Sequence, residues 1–252
     1  MYQVEQGEPS QDFKSAWQEA GRFIQSKGAE GINWIRATLN PPMAEHLSFR
    51  IGNQLFFIFV EAAEFNFENG KKLFLDVSHE ANAIPCIMTM NKRLTTYEPM
   101  NSGWGLIHAE SGHSVDPGLM VSDELIEMSD WEIHDFAIQM VKEHLSKQGK
   151  KVFSAQSSLK IDPSIWFEDS KKACWVVVRA VKYPEKEAII PPNINEISQG
   201  CSRMGDTGYF ASVVVVNSND PFDPDAQDNG NYLPIYRGHG INVKFSGLKN
   251  VS

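Results

Sequence analysis

Most residue types able to do chemistry stand isolated along this chain. The densest histidine cluster is His108-Ala-Glu-Ser-Gly-His113, with Glu110 between two imidazoles. Zinc sites in such loops bring a second close pair of ligands, and none is visible, so Gly112 and the matching Gly238 and Gly240 around His239 point to a loop built for conformation. Asp220, Asp223, Asp225 and Asp228 could offer oxygens to Ca²⁺, but their spacing departs from the alternate-position pattern of an EF-hand, and two prolines make the stretch read as an exposed loop. Cys86 and Cys174 fall inside apolar runs and read as small core residues, while Cys201 differs only in lying near Arg203. The loop from Ser202 to Gly208 lacks the glycine spacing of a nucleotide site. Arg179 is the most informative residue. A guanidinium in Trp175-Val-Val-Val-Arg-Ala-Val-Lys182 must find an anion, lie at the end of its sheet, or meet a carboxylate such as Asp162.

The elements that must position these residues form a repeated order. Ser10 and Asp12 precede a helix with Phe13, Ala16, Trp17, Ala20 and Ile24 on one face, ended by Gly28 and Gly31. Ser129 and Glu132 make a capping-box pattern before Ile133, Phe136, Ala137, Met140, Val141 and Leu145, ended by Gly149. The offset between the two helices is 120. Each is followed by three predicted strands, 32–39, 47–51 and 55–62 in the first half and 152–157, 164–167 and 174–181 in the second. A helix then comes at 71–80 or 195–203, a strand at 84–91 or 209–217, and an exit segment at Gly105–His108 or Pro234–Arg237. Along the strands, helices and exits the offset drifts through 116, 119, 126 and 129, which short loop changes accommodate.

The expected fold is therefore α/β (α+β), two similar α-β-β-β-α-β halves at 1–118 and 119–252, produced by internal duplication. A linker is expected within 116–128, and Pro41-Pro42, Pro191-Pro192 and 217–231 read as loops. The continuous apolar runs 55–60, 174–178 and 213–216 belong mid-sheet, covered on both faces, whereas Leu47-Ser-Phe-Arg-Ile51 alternates.

Composition narrows the class. With 42% hydrophobic and 22% charged residues the chain is neither disordered nor disulfide-dense, and its longest apolar runs, six residues, fall far short of the roughly 18 of a membrane span. Residues 1–5 show no secretory features and three cysteines cannot all pair, so a cytoplasmic location is expected. A net charge of −9 disfavours nucleic acid and leaves a protein partner as the expectation.

The element order resembles the core of the PD-(D/E)xK nuclease-like superfamily. That resemblance implies a second-strand Asp and a third-strand Glu or Asp, followed two residues later by Lys, around Mg²⁺. Asp162 in Lys160-Ile-Asp-Pro-Ser164 stands at the second-strand place, but the third strand offers only Arg179 and Lys182. In the first half Glu45 and Glu61 are carboxylates at comparable places, and Glu61-Ala-Ala63 has no Lys. The implied protein is a degenerate, non-catalytic binding or adaptor protein. Asp162, Arg179, Lys182 and Glu61 are its candidate ligand or residual site. No cofactor is expected, Mg²⁺ belonging only to the alternative of a working metal-dependent nuclease. Small acidic secretion-chaperone-like domains share the element order and imply a protein-binding module.

Overall fold

A computed structural model describes residues 10–28, 31–37, 46–62, 68–205, 207–220 and 232–252. Glu45, Pro41-Pro42, Asp206 and the aspartate-rich 221–231 lie outside the described residues. The architecture is α+β, and the described residues fall into two compact units that divide between Ile126 and Glu127, inside the segment expected as a linker.

In the first unit, helix α1 (Gln11–Gly28) begins where the Ser10 hydroxyl accepts the Phe13 amide at 3.1 Å. Its buried face is the one the spacing predicts, Phe13, Ala16, Trp17, Ala20 and Ile24. Strands β1 (Ile32–Arg36), β2 (His46–Ile51) and β3 (Gln54–Ala62) form an antiparallel meander. Helix α2 (Glu68–Glu80) then crosses over so that β4 (Ile84–Arg93) pairs parallel to β3. Strand β5 (Thr96–Pro99) folds back on β4, and β6 (Leu106–His108) and β7 (Ser114–Val115) close the sheet order β1-β2-β3-β4-β6-β7. Phe49, Phe56, Ile58, Val60, Cys86, Met88 and Met90 pack under α1. On the other face Phe59 meets Phe74 of α2, so β3 is covered on both sides as its unbroken apolar run requires.

The second unit repeats the plan. Helix α3 (Asp130–Lys147) starts with a complete capping box between Ser129 and Glu132. Strands β8 (Lys151–Ala155), β9 (Ile165–Asp169) and β10 (Lys172–Lys182) form the meander. Helix α4 (Ile194–Cys201) crosses over to β11 (Thr207–Asn217), which pairs parallel to β10. Ile133, Ala137, Ile138, Val141 and Leu145 pack on Val176, Val178, Ala211, Val213 and Val215, while Trp175, Val177 and Phe210 face the α4 side.

Two expectations are corrected by the register. Pro234–Arg237 does not take the place of β6: it contributes a single bridge, Tyr236 to Glu127, and the strand that borders β11 is β12 (Ile241–Phe245), followed by the short β13 (Lys249–Asn250). The offsets also shift by one. Buried positions of the two helices coincide at 121, where Ala16, Trp17, Ala20 and Ile24 meet Ala137, Ile138, Val141 and Leu145. Matching the two tight turns, 52–53 and 170–171, sets the strand offset at 118, not 119. At 118, Leu47, Phe49, Ile58 and Val60 correspond to Ile165, Phe167, Val176 and Val178, all on the α1 or α3 side. A slip of one would have sent each side chain to the opposite face.

Candidate functional site

Strand β10 carries its valines into the core and reaches Arg179 and Lys182 only near its end, where burial gives way to partial exposure. Asp162 approaches from the loop before β9. That loop is pinned by polar groups that replace a regular ladder: the Gln156 side chain donates to Ile161 O at 2.5 Å and accepts from Ser158 N at 2.7 Å. Ser164 N donates to Val176 O at 2.9 Å, and the Ser164 hydroxyl accepts from Val178 N at 3.2 Å. The buried Ser157 hydroxyl donates to Asp135 of α3. These bonds satisfy buried polar groups and hold Asp162 against β10.

The outcome is a two-point clamp. Asp162 Oδ1 accepts from Arg179 Nη1 at 2.9 Å and Oδ2 from Nη2 at 2.5 Å, while Nη1 also donates to Val178 O at 2.8 Å. At the start of α3, Lys182 Nζ lies 3.1 Å from Asp130, the first residue of the helix, and 3.4 Å from Glu127 just before it. Thus the sequence-predicted residues Asp162, Arg179 and Lys182 converge in the second unit. Together with Ile133, His134, Leu159, Val181 and Glu185, the two cations line a recess of about 340 Å³.

His134 is the residue that sequence reasoning missed. It is buried, and neither ring nitrogen has a hydrogen-bond partner. Burial, followed by the charge of Arg179, pushes its pKa down to about 4 against the opposing pull of Asp162, so the ring is neutral near pH 7. The neutral imidazole carries one donor and one acceptor, both enclosed in the interior.

This arrangement does not suit Mg²⁺. A hard cation needs unoccupied carboxylate oxygens, and both of Asp162's are engaged by a guanidinium, with no acidic residue along β10 to supply a second ligand. No group of three or more His, Cys, Asp or Glu among the described residues could hold a metal ion.

Glu61 stands apart on β3 of the first unit, half-buried, at the position the turn-matched offset assigns to Arg179. The histidine loop is held by its own backbone: His108 Nδ1 accepts from Glu110 N and Ser111 N at 3.3 Å each, and His108 N donates to His113 O at 2.8 Å. Gly112 there has φ of +71°, the left-handed conformation that glycine supplies without strain. The three cysteines are buried free thiols. Burial pushes Cys86 up to about 12 and Cys201 up to about 11, and raises Cys174, so none is a preformed thiolate nucleophile.

Residues 131–251 match a family model described as Domain of unknown function (DUF8840). The match runs from the second residue of α3 to the residue after β13, which is the second unit by itself. No curated protein and no solved structure matches the chain.

Proposed function

We propose that this chain is a non-catalytic binding or adaptor protein, built from two copies of one α-β-β-β-α-β unit on a degenerate nuclease-like scaffold. The observation that carries the reading is the Asp162–Arg179 clamp. The carboxylate that a nuclease of this plan would give to a metal is here the counter-ion of a guanidinium on the strand where a second carboxylate should stand. The recess beside the clamp is the binding site. Walled by Ile133, Leu159 and Val181 and edged by Lys182 and Asp130, it suits a peptide segment, whose apolar side chains fill the wall and whose backbone meets the charged edge.

The acidic balance supports a protein partner over nucleic acid. Three free buried thiols support a reducing compartment, the cytoplasm. No helix among the described residues is long and apolar enough to cross a membrane. The test is incubation of the purified chain with duplex DNA and with RNA in Mg²⁺, beside Asp162→Ala. No cleavage above buffer is expected from either protein, and Mg²⁺-dependent cleavage that disappears in Asp162→Ala would overturn the reading.

A further inference from the structure

On the side of β11 away from β10, two strands share the ladder. Val213–Asn217 pair with β12, Tyr209 and Phe210 pair with β13, and residues 246–248 between them oppose only Ala211 and Ser212. Three residues against two is a bulge, and Gly247 at φ of +96° provides the backbone conformation it needs. Beside this bulge a recess of about 260 Å³ opens, separate from the one next to His134 and sharing none of its lining.

The register decides what faces it. Lys244 pairs with Val214 and Lys249 with Phe210, so both lysine stems rise from the sheet face that carries those two apolar residues. Lys186 joins them from the segment that crosses this face, which is fixed there by Ala188 N donating to the Ser212 hydroxyl at 2.8 Å. That bond leaves the Ser212 hydroxyl hydrogen to donate. The floor is apolar: Phe210, which is buried, with Val214.

Charge here runs against the whole chain. Three lysines, Lys186, Lys244 and Lys249, line this one recess, and none of them has an ion-pair partner among the described residues. Glu187 is the one acid in the lining. The net −9 also falls mostly elsewhere, since residues 1–126 hold nine basic against sixteen acidic side chains and residues 127–252 hold fourteen against sixteen. In the first unit β6, which borders β4 as β12 borders β11, has Leu106, Ile107 and His108 and no lysine.

We propose that this recess binds a small organic anion, with a phosphoryl or carboxylate group among the three ammonium groups and an apolar or aromatic body on Phe210 and Val214. Gathering like charges opposes folding, and an anion removes that repulsion while the floor removes its apolar surface from water. Lysines are flexible point charges and accept either oxyanion, unlike the planar fork of arginine.

The test titrates the full chain with phenyl phosphate, benzoate and benzyl alcohol, followed by calorimetry and by backbone amide shifts at Ser212 and Gly247. Saturable binding of at least one anion is expected, weakening as salt rises, with the alcohol about tenfold weaker or worse. The comparison of phenyl phosphate with benzoate distinguishes the two oxyanions. Lys244→Gln/Lys249→Gln should lower affinity about tenfold or more. Thermal unfolding verifies that the variant is folded. If it is not, Lys186→Gln, on a connecting segment, provides the same reading. Absence of saturation by either anion, or equal binding by wild type and a folded variant, would overturn the proposal.

Discussion

Arg237 and Glu132, 105 residues apart, form a closed ion pair at the first turn of α3, with side chains 1% and 4% exposed. The Arg237 Nε donates to both carboxylate oxygens at 2.9 and 3.1 Å, and Nη2 donates to Oε2 at 2.8 Å. The same Oε2 accepts from Ser129 N at 2.9 Å, so one carboxylate caps the helix and anchors the 232–240 segment. Met128 N donating to Ile235 O at 2.8 Å places the two chains side by side. Removing one partner strands the other charge in the interior. Glu132→Gln or Arg237→Met is expected to cost about 3–5 kcal/mol in urea unfolding, and Ser129→Ala only about 1 kcal/mol. The double variant Glu132→Gln/Arg237→Met should cost clearly less than the two singles added together. Additive losses would mean that the pair is not coupled.

Asp162 and Arg179 act on His134 with opposite signs, which separates them by titration. Burial is the largest cause of the low His134 pKa, Arg179 adds to it and Asp162 opposes it. Arg179→Gln removes the repelling charge and should move the His134 transition upward, toward the ordinary 6.5. Asp162→Asn leaves Arg179 unopposed and should move it below about 4. Imidazole resonances followed by NMR provide the measurement, and a transition unmoved in both variants would show that the clamp is not electrically coupled to the ring.

Much of this arrangement was legible from residue types alone. A guanidinium among valines needs a carboxylate, and Asp162 is the one Arg179 meets. The spacing of Phe13, Ala16, Trp17, Ala20 and Ile24 specifies the buried face of α1 because a helix repeats every 3.6 residues. Strand register was less legible. Phe56 and Phe57 are equally apolar, so the pattern 55–60 does not say which of them faces α1, and only the turn at 52–53 settles it. Strand β12 escaped notice because an edge strand with Asn242 and Lys244 pointing outward has a weak apolar pattern, and its pairing with β11 is made across a long connection. His134 escaped notice because a histidine between Ile133 and Asp135 carries no signal until the helix is seen against Arg179.

The thiols offer a test of how tightly each unit's own core is packed. Cys86 and Cys174 lie in β4 and β10, Cys201 closes α4, and all three are buried. Raised pKa values keep them protonated, and burial excludes reagent, so alkylation requires opening. Native protein at pH 8 should react with iodoacetamide at least about a hundredfold more slowly than the urea-unfolded chain, as read by mass spectrometry, since opening free energies in a packed core exceed a few kcal/mol. Fast labelling of Cys201 alone would indicate that α4 opens independently of the sheet.

Two buried imidazoles make stability pH-dependent, one in each unit. His46 stacks on Phe57 at 4.9 Å, its Nε2 has no partner, and burial followed by the charge of Arg36 pushes it down to about 3. His134 stands at about 4. The sign follows from which state takes the proton. Below pH 6.5 the unfolded chain binds one proton at each site while the folded chain stays neutral until about pH 4 or 3, so stability is full above 6.5 and falls as pH drops through that window. At pH 5 each site costs about 2 kcal/mol relative to pH 7. His46→Phe keeps the stacked ring and removes the titration, and it should flatten the acid side of the first unit's transition. The second unit's transition should keep its slope until His134 is replaced as well. Urea midpoints at pH 7 and pH 5, followed by tryptophan fluorescence, measure this. An acid slope unchanged in His46→Phe would show that His46 is already protonated in the folded chain or does not reach its buried state.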